Sequence, residues 1–216
     1  MYPAALMKHG FSFLSFKLGF RYNDDAMWWA TAAYYGYRAY GDDTLLSMAT
    51  ATWDHVSKYV VTKGGTQPNK KSKVSGKCYG ETMAGGVFWR PTANDMSINS
   101  ITTGLYMTLS AFLAGATGNA KYTNAATLSA QWIQNLQINS DGIVLDSISA
   151  SDCTRSASTW LFTYNSGKFI EGLPYSSRIN ALRQDMRRAR YPGLSTSVEG
   201  LYLLPPLAWL SRMSAL

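Results

Sequence analysis

Between residues 24 and 40 the chain reads "DDAMWWATAAYYGYRAY", with apolar and aromatic side chains falling nearly all round the helical repeat. A segment with no polar stripe predicts a helix enclosed by others. The turn "YGDD" follows. Residues 44–61 then set Leu45, Leu46, Ala49, Trp53, Val56 and Val60 on one face against Thr50, Asp54, Ser57 and Lys58, which predicts a one-sided outer helix. The same order returns further on. After the short extended piece "GGVFWR", the uncharged run "NSITTGLYMTLSAFLAGA" predicts a second enclosed helix, and "TGNAK" a turn. Residues 121–137 place Tyr122, Ala125, Ala126, Trp132, Ile133 and Leu136 opposite Lys121, Asn124, Gln131 and Gln134, a second outer helix. "DGIVLD" echoes "GGVFWR", and a third enclosed segment begins at "STWLFTYNSGKFIEGL". Repeated hairpins whose first helix is enclosed and whose second is exposed predict an all-α toroid of inner and outer helices, with a linear solenoid as the alternative. The toroid is favoured because a solenoid seldom needs one helix of each pair to be so uniformly apolar.

The length of 216 residues, 46% hydrophobic, suits one domain or a large part of one. The net charge of +7 is unevenly placed. Residues 174–216 hold six Arg and no Lys against Asp185 and Glu199, so the main body is only mildly basic. Lys63, Lys70, Lys71, Lys73 and Lys77 lie in "TKGGTQPNKKSKVSGK", which reads as a flexible solvated loop rather than a nucleic-acid site, because no nucleic-acid motif accompanies it. No run of eighteen apolar residues predicts a membrane span. Lys8 and Lys17 leave too short an apolar stretch between them for an export signal in the chain as it stands. Two cysteines, Cys78 and Cys153, fit one disulfide or two separate thiols, and with His9 and His55 they form no metal-binding pattern. No cofactor is expected.

Each enclosed segment carries an asparagine near its start: Asn23 before Asp24, Asn99 before Ser100 and Asn165 before Ser166. In a ring of parallel inner helices these starts gather at one end. Helix capping would account for the asparagines. It does not account for the adjacent carboxylates Asp24 and Asp25. Together with Trp28, Trp29, Trp89, Tyr106, Trp160 and Tyr164 they form the combination that sugar chemistry uses, aromatic faces for C–H surfaces and paired carboxyls for an acid and a nucleophile. Taken singly, each aromatic also fits core packing.

"NDDAMWW", "GGVFWR", "NSITTGLY" and "FTYNSGKFIEGL", in this order and at these separations, resemble glycoside hydrolase family 76, endo-α-1,6-mannanases and related cell-wall enzymes. The resemblance covers roughly residues 20–173. It implies an (α/α)6 barrel and an extracellular or cell-wall location. Asp24 would be the nucleophile and Asp25 the general acid/base of a retaining mechanism on α-mannan. It would also place Asn99 and Asn165 near substrate hydroxyls, and Asn23, Trp28, Trp29, Trp89, Tyr106 and Tyr164 are expected beside them on the reading of the residues above. For its role Asp25 must stay protonated, and the neighbouring Asp24 charge is expected to raise its pKa. Cys78 and Cys153 each precede a motif by under a dozen residues, so a disulfide joining two loops at the active end is expected. The chain departs from the family pattern at both ends. About five helices stand where the barrel has twelve, Pro174 cuts the third inner helix, and the composition after it changes abruptly. The expected division is a remnant over 1–19, a partial barrel over 20–173 and a divergent basic tail over 174–216. A truncated or mis-spliced product with a foreign-frame tail and an evolved extension are both compatible with this division. Either an active glycosidase or transglycosylase, or an inactive carbohydrate-binding remnant, follows.

Overall fold

The structure is a computed structural model that describes residues 21–64, 67, 69–157 and 159–173. The expected N-terminal remnant and the basic tail lie outside these residues. Within them the helices are α1 (Asn23–Tyr40), α2 (Asp43–Val56), α3 (Ser100–Thr117), α4 (Ala120–Trp132) and α5 (Thr163–Gly172). Local chemistry sets their limits. Asp42 Oδ1 accepts the Thr44 N–H at 2.8 Å to start α2, and Asn99 Oδ1 accepts the Thr102 N–H at 3.2 Å to start α3. Gly41 and Gly118 end α1 and α3 in the left-handed conformation, at φ 69° and 67°.

The uncharged helix is the centre of the molecule. Every residue of α3 from Ser100 to Leu113 is buried, with α1 and α5 beside it and α2 and α4 also packed on it. The core gathers Met27, Ala30 and Tyr34 from α1, Trp53 and Val56 from α2, Leu105, Leu109 and Phe112 from α3, and Tyr122 from α4. Trp53 joins three helices: its Nε1 donates to Ser110 Oγ at 2.6 Å, and its ring meets Tyr106 at 5.1 Å and Tyr122 at 4.7 Å. This all-α arrangement, inner α1, α3 and α5 and outer α2 and α4, is the predicted alternation.

Enclosure of the other two inner helices is a correction. α1 buries only the stripe Asn23, Ala26, Met27, Ala30, Thr31 and Tyr34, and leaves Trp28, Trp29 and Tyr35 exposed. α5 buries Asn165, Lys168, Phe169 and Gly172, with Tyr164 and Ile170 exposed. Among the described residues α3 has helical neighbours on both flanks, whereas α1 and α5 each meet α3 on one side.

The connections repeat as the helices do. Val87 of "GGVFWR" bridges back to Val60 after the first outer helix, and Val144 of "DGIVLD" bridges back to Ile138 after the second. In the second unit α4 runs on through one widened turn, Ile133–Gln137, before that bridge. Gly85 (φ 94°) and Gly86 let the first of these pieces lie against α4, since a Cβ would come within 2.5 Å of Leu128 O and 2.6 Å of Trp132 Nε1 respectively. Strand β3 (Ser97–Asn99) pairs antiparallel with β4 (Ser147–Ser149), Ile98 facing Ile148. β1 (Lys77–Cys78) and β2 (Glu81–Thr82) form a small hairpin.

The lysine-rich loop is only partly as expected. Lys70 is buried, not solvated: its Nζ donates to the carbonyls of Arg90, Thr92 and Asp95 at 2.9, 2.9 and 2.7 Å and sits 4.2 Å over the Phe88 ring. Burial pulls its pKa down to about 8, with the Asp95 charge opposing. At neutral pH it is therefore still an ammonium able to fill all three carbonyls. The expected disulfide is formed, with Cys78 and Cys153 joined at a Cα separation of 5.5 Å. It closes a loop of 75 residues' separation, for which chain entropy gives about 4 kcal/mol.

Candidate active site

The starts of the three inner helices meet through the two extended pieces. Asn23 is the first residue of α1 rather than its cap. Its backbone N–H donates to Trp89 O at 2.7 Å, and its Nδ2 to Phe88 O at 2.8 Å. One repeat later the Ser100 N–H donates to Asp146 O at 2.7 Å. Asn99 does cap α3, but its Nδ2 also points to Asp146, 3.5 Å from Oδ1, and Asn165 Nδ2 on α5 lies 3.4 Å from the same oxygen. One buried carboxylate thus gathers the asparagines of α3 and α5.

Asp146 escaped the sequence analysis. Its signal lay in the echo between the two extended pieces: with Val87 set on Val144, the next residue but one is Trp89 in the first and Asp146 in the second. Both positions present a carbonyl to the start of an inner helix.

Asp24 and Asp25 occupy the first turn of α1, where the helix dipole favours negative charge. Their surroundings differ. Asp24 is half-buried beside Trp89, whose side chain donates to it, and Asp25 is exposed. Burial raises the Asp24 pKa, the Asp25 charge adds to the rise, and the Trp89 hydrogen bond opposes both. The Asp24 carboxyl is lifted because its place on the helix turns it inward. Asp24 Oδ1 and Asn165 Oδ1 are both sealed from solvent and accept no hydrogen bond from the described protein atoms.

The aromatics divide. Trp89 is half-buried, its ring 4.8 Å from that of Tyr22, and the Arg90 guanidinium lies over both. Tyr164 is raised in pKa by burial, then by the charges of Asp146 and Asp24, so it stays a phenol within range of both carboxylates. Its ring stacks flat on Phe162 at 5.3 Å, and the two form an exposed platform at the head of α5, where Trp160 is exposed as well. Trp28 and Trp29 follow Asp24 and Asp25 by one helical turn, and both are exposed. Tyr106 is not brought to the site: at 3% exposure it stacks on Trp53 of α2, inside the core. Among the described residues no group of three or more His, Cys, Asp or Glu could hold a metal ion, and no helix is long and apolar enough to cross a membrane.

Helical hairpins in an inner and an outer layer, with helix starts and aromatics gathered at one end, define part of an α/α-barrel. The profile of glycosyl hydrolase family 76 matches residues 8–175, and the chain belongs to that family. Solved structures share the fold. An α-mannanase of the family from Bacteroides thetaiotaomicron matches 77% of this chain at 19% identity and a TM-score of 0.57, over 40% of its own length. An α-1,6-mannanase from a Salegentibacter species matches 77% at 21% identity and 0.58, over 42% of its length. An inactive variant of that mannanase, changed at two consecutive aspartates and bound to α-1,6-mannotriose, matches 77% at 18% identity and 0.57, again over 42%. This chain therefore spans less than half the length of these relatives. No curated protein matches it.

Proposed function

We propose that this chain acts on α-1,6-linked mannan by a retaining mechanism, with Asp24 as nucleophile and Asp25 as general acid/base. An Asp24 oxygen attacks the anomeric carbon, the glycosidic C–O bond breaks, and Asp25 gives its proton to the departing oxygen. Asp25 then takes a proton from water, or from a sugar hydroxyl in a transglycosylation, as that oxygen displaces Asp24. Asn99, Asn165 and Trp89 border the reacting sugar, and Tyr164 offers a face and a hydroxyl.

The observation that carries this reading is the meeting of half-buried Asp24 at the head of α1 with the exposed Phe162–Tyr164 pair at the head of α5, Tyr164 lying within the field of the Asp24 charge. A carboxylate beside an open aromatic face suits a pyranose ring. The family, and the consecutive aspartates changed in an inactive mannanase relative, support the same assignment. The Cys78–Cys153 disulfide supports an exported, oxidising location. A second reading, sugar binding without turnover, is favoured by the exposure of Asp25, since a carboxyl in water is not held against a leaving group.

Burst kinetics separate these readings. Asp24→Ala should abolish turnover of every mannoside. Asp25→Ala should cripple α-1,6-mannan cleavage yet keep a glycosylation burst with a dinitrophenyl mannoside, whose departing phenol needs no proton, and azide should rescue its slow second step. Azide rescue of Asp24→Ala instead would reverse the roles. Mannotriose binding with no turnover in the unaltered chain would establish the second reading.

A further inference from the structure

A half-buried ion pair on the inner layer has no part in the chemistry above. Lys168 of α5 is 9% exposed, and its Nζ lies 2.7 Å from Glu171 Oε2 and 4.8 Å from the centre of the Trp28 ring on α1. Glu171 in turn accepts from the hydroxyl of Tyr35, about two turns beyond Trp28 on α1. Side chains of α1 and α5 are thus joined across the helix between them. The backbone beneath is fitted to this strap. A Cβ at Gly104 of α3 would press to 3.1 Å from Lys168 Cβ, and Thr108 Oγ1 donates to Lys168 O at 2.9 Å.

We propose that Lys168 is a positioning residue for sugar binding, its ammonium fixing the Trp28 ring as a platform one helical turn below Asp24; this rests on the carbohydrate reading. A free lysine samples many rotamers and would not hold an indole in one orientation. Here Glu171 fixes the ammonium and Tyr35 fixes Glu171. The cation occupies one face of the ring. The opposite face is left for the C–H surface of a pyranose, and Trp28 is 41% exposed.

The test uses the full chain labelled with 5-fluorotryptophan, the Trp28 fluorine resonance being the one lost in Trp28→Phe. Lys168→Met should shift and broaden that resonance and weaken α-1,6-mannotriose binding roughly 3- to 10-fold. Lys168→Arg should restore both, because a guanidinium also stacks on indole and pairs with Glu171. A Trp28 resonance unmoved in folded Lys168→Met, or unrestored by Lys168→Arg, overturns the proposal. Should Lys168→Met not fold, Glu171→Gln, which keeps the ammonium but weakens its hold, must move the resonance; if it does not, the proposal falls. Lack of mannotriose binding by the unaltered chain overturns the role in sugar binding together with the carbohydrate reading, even if the fluorine shifts support the strap itself.

Discussion

Asp24 answers to two opposed demands. As the proposed nucleophile it has to be ionised, while its burial and the neighbouring Asp25 charge favour the protonated form. A carboxyl whose folded pKa lies above its unfolded value favours folding at pH below the unfolded value, and that contribution is lost as pH rises through the folded one. At pH 7 ionised Asp24 therefore opposes folding. Asp24→Asn should raise the melting temperature at pH 7 by about 1–3 °C, a small step because solvent screens one side of the carboxylate, and the gain should vanish near pH 3. Thermal melts of both chains across that range measure it. Catalysis by the unaltered chain should show an acid limb above the usual carboxylate range. The adjacent acids were legible in the sequence because two carboxylates before an aromatic run have no packing purpose. Which of them is buried was not, since that follows from the pose of α1 against Trp89. Tyr106 was misassigned for a related reason: an aromatic on an enclosed helix faces the cleft or the outer layer, and composition does not say which.

Among the elements, α2, α3 and α4 were readable because their polar positions mark a face or are missing altogether. α1 and α5 were not, since Trp28, Trp29 and Tyr164 look like core residues in a hydrophobicity pattern whether they are covered or exposed. The segment between Val60 and Val87 misled in the opposite direction. A run of lysines among Gly, Ser and Thr signals solvent, yet Lys70 is used from within to tie residues 90–95 beside Phe88. Lys70→Met should leave the carbonyls of Arg90, Thr92 and Asp95 without their shared donor and lower unfolding stability by about 1–3 kcal/mol in urea titration. Lys71→Met, at an exposed position, should change stability by less than about 0.5 kcal/mol. Equal effects of the two substitutions would show that the cage contributes nothing.

For the molecule as a whole, the alternation of layers came from periodicity, while the joining of its parts did not. Spacing alone left the two cysteines, 75 residues apart, as one disulfide or two thiols, and only their places before two motifs suggested the pair; the fold brings Tyr79 OH to Cys153 O at 2.7 Å and joins Cys78 to Cys153. Their bond encloses α3 and α4 within one covalent loop. Backbone continuity inside that loop is then no longer needed to keep the molecule in one piece. A protease acting at the exposed turn around Ser140 and Asp141 would yield a nicked chain that runs as a single band without reductant and as two fragments with it. Two fragments under both conditions would mean the cysteines are unpaired in solution.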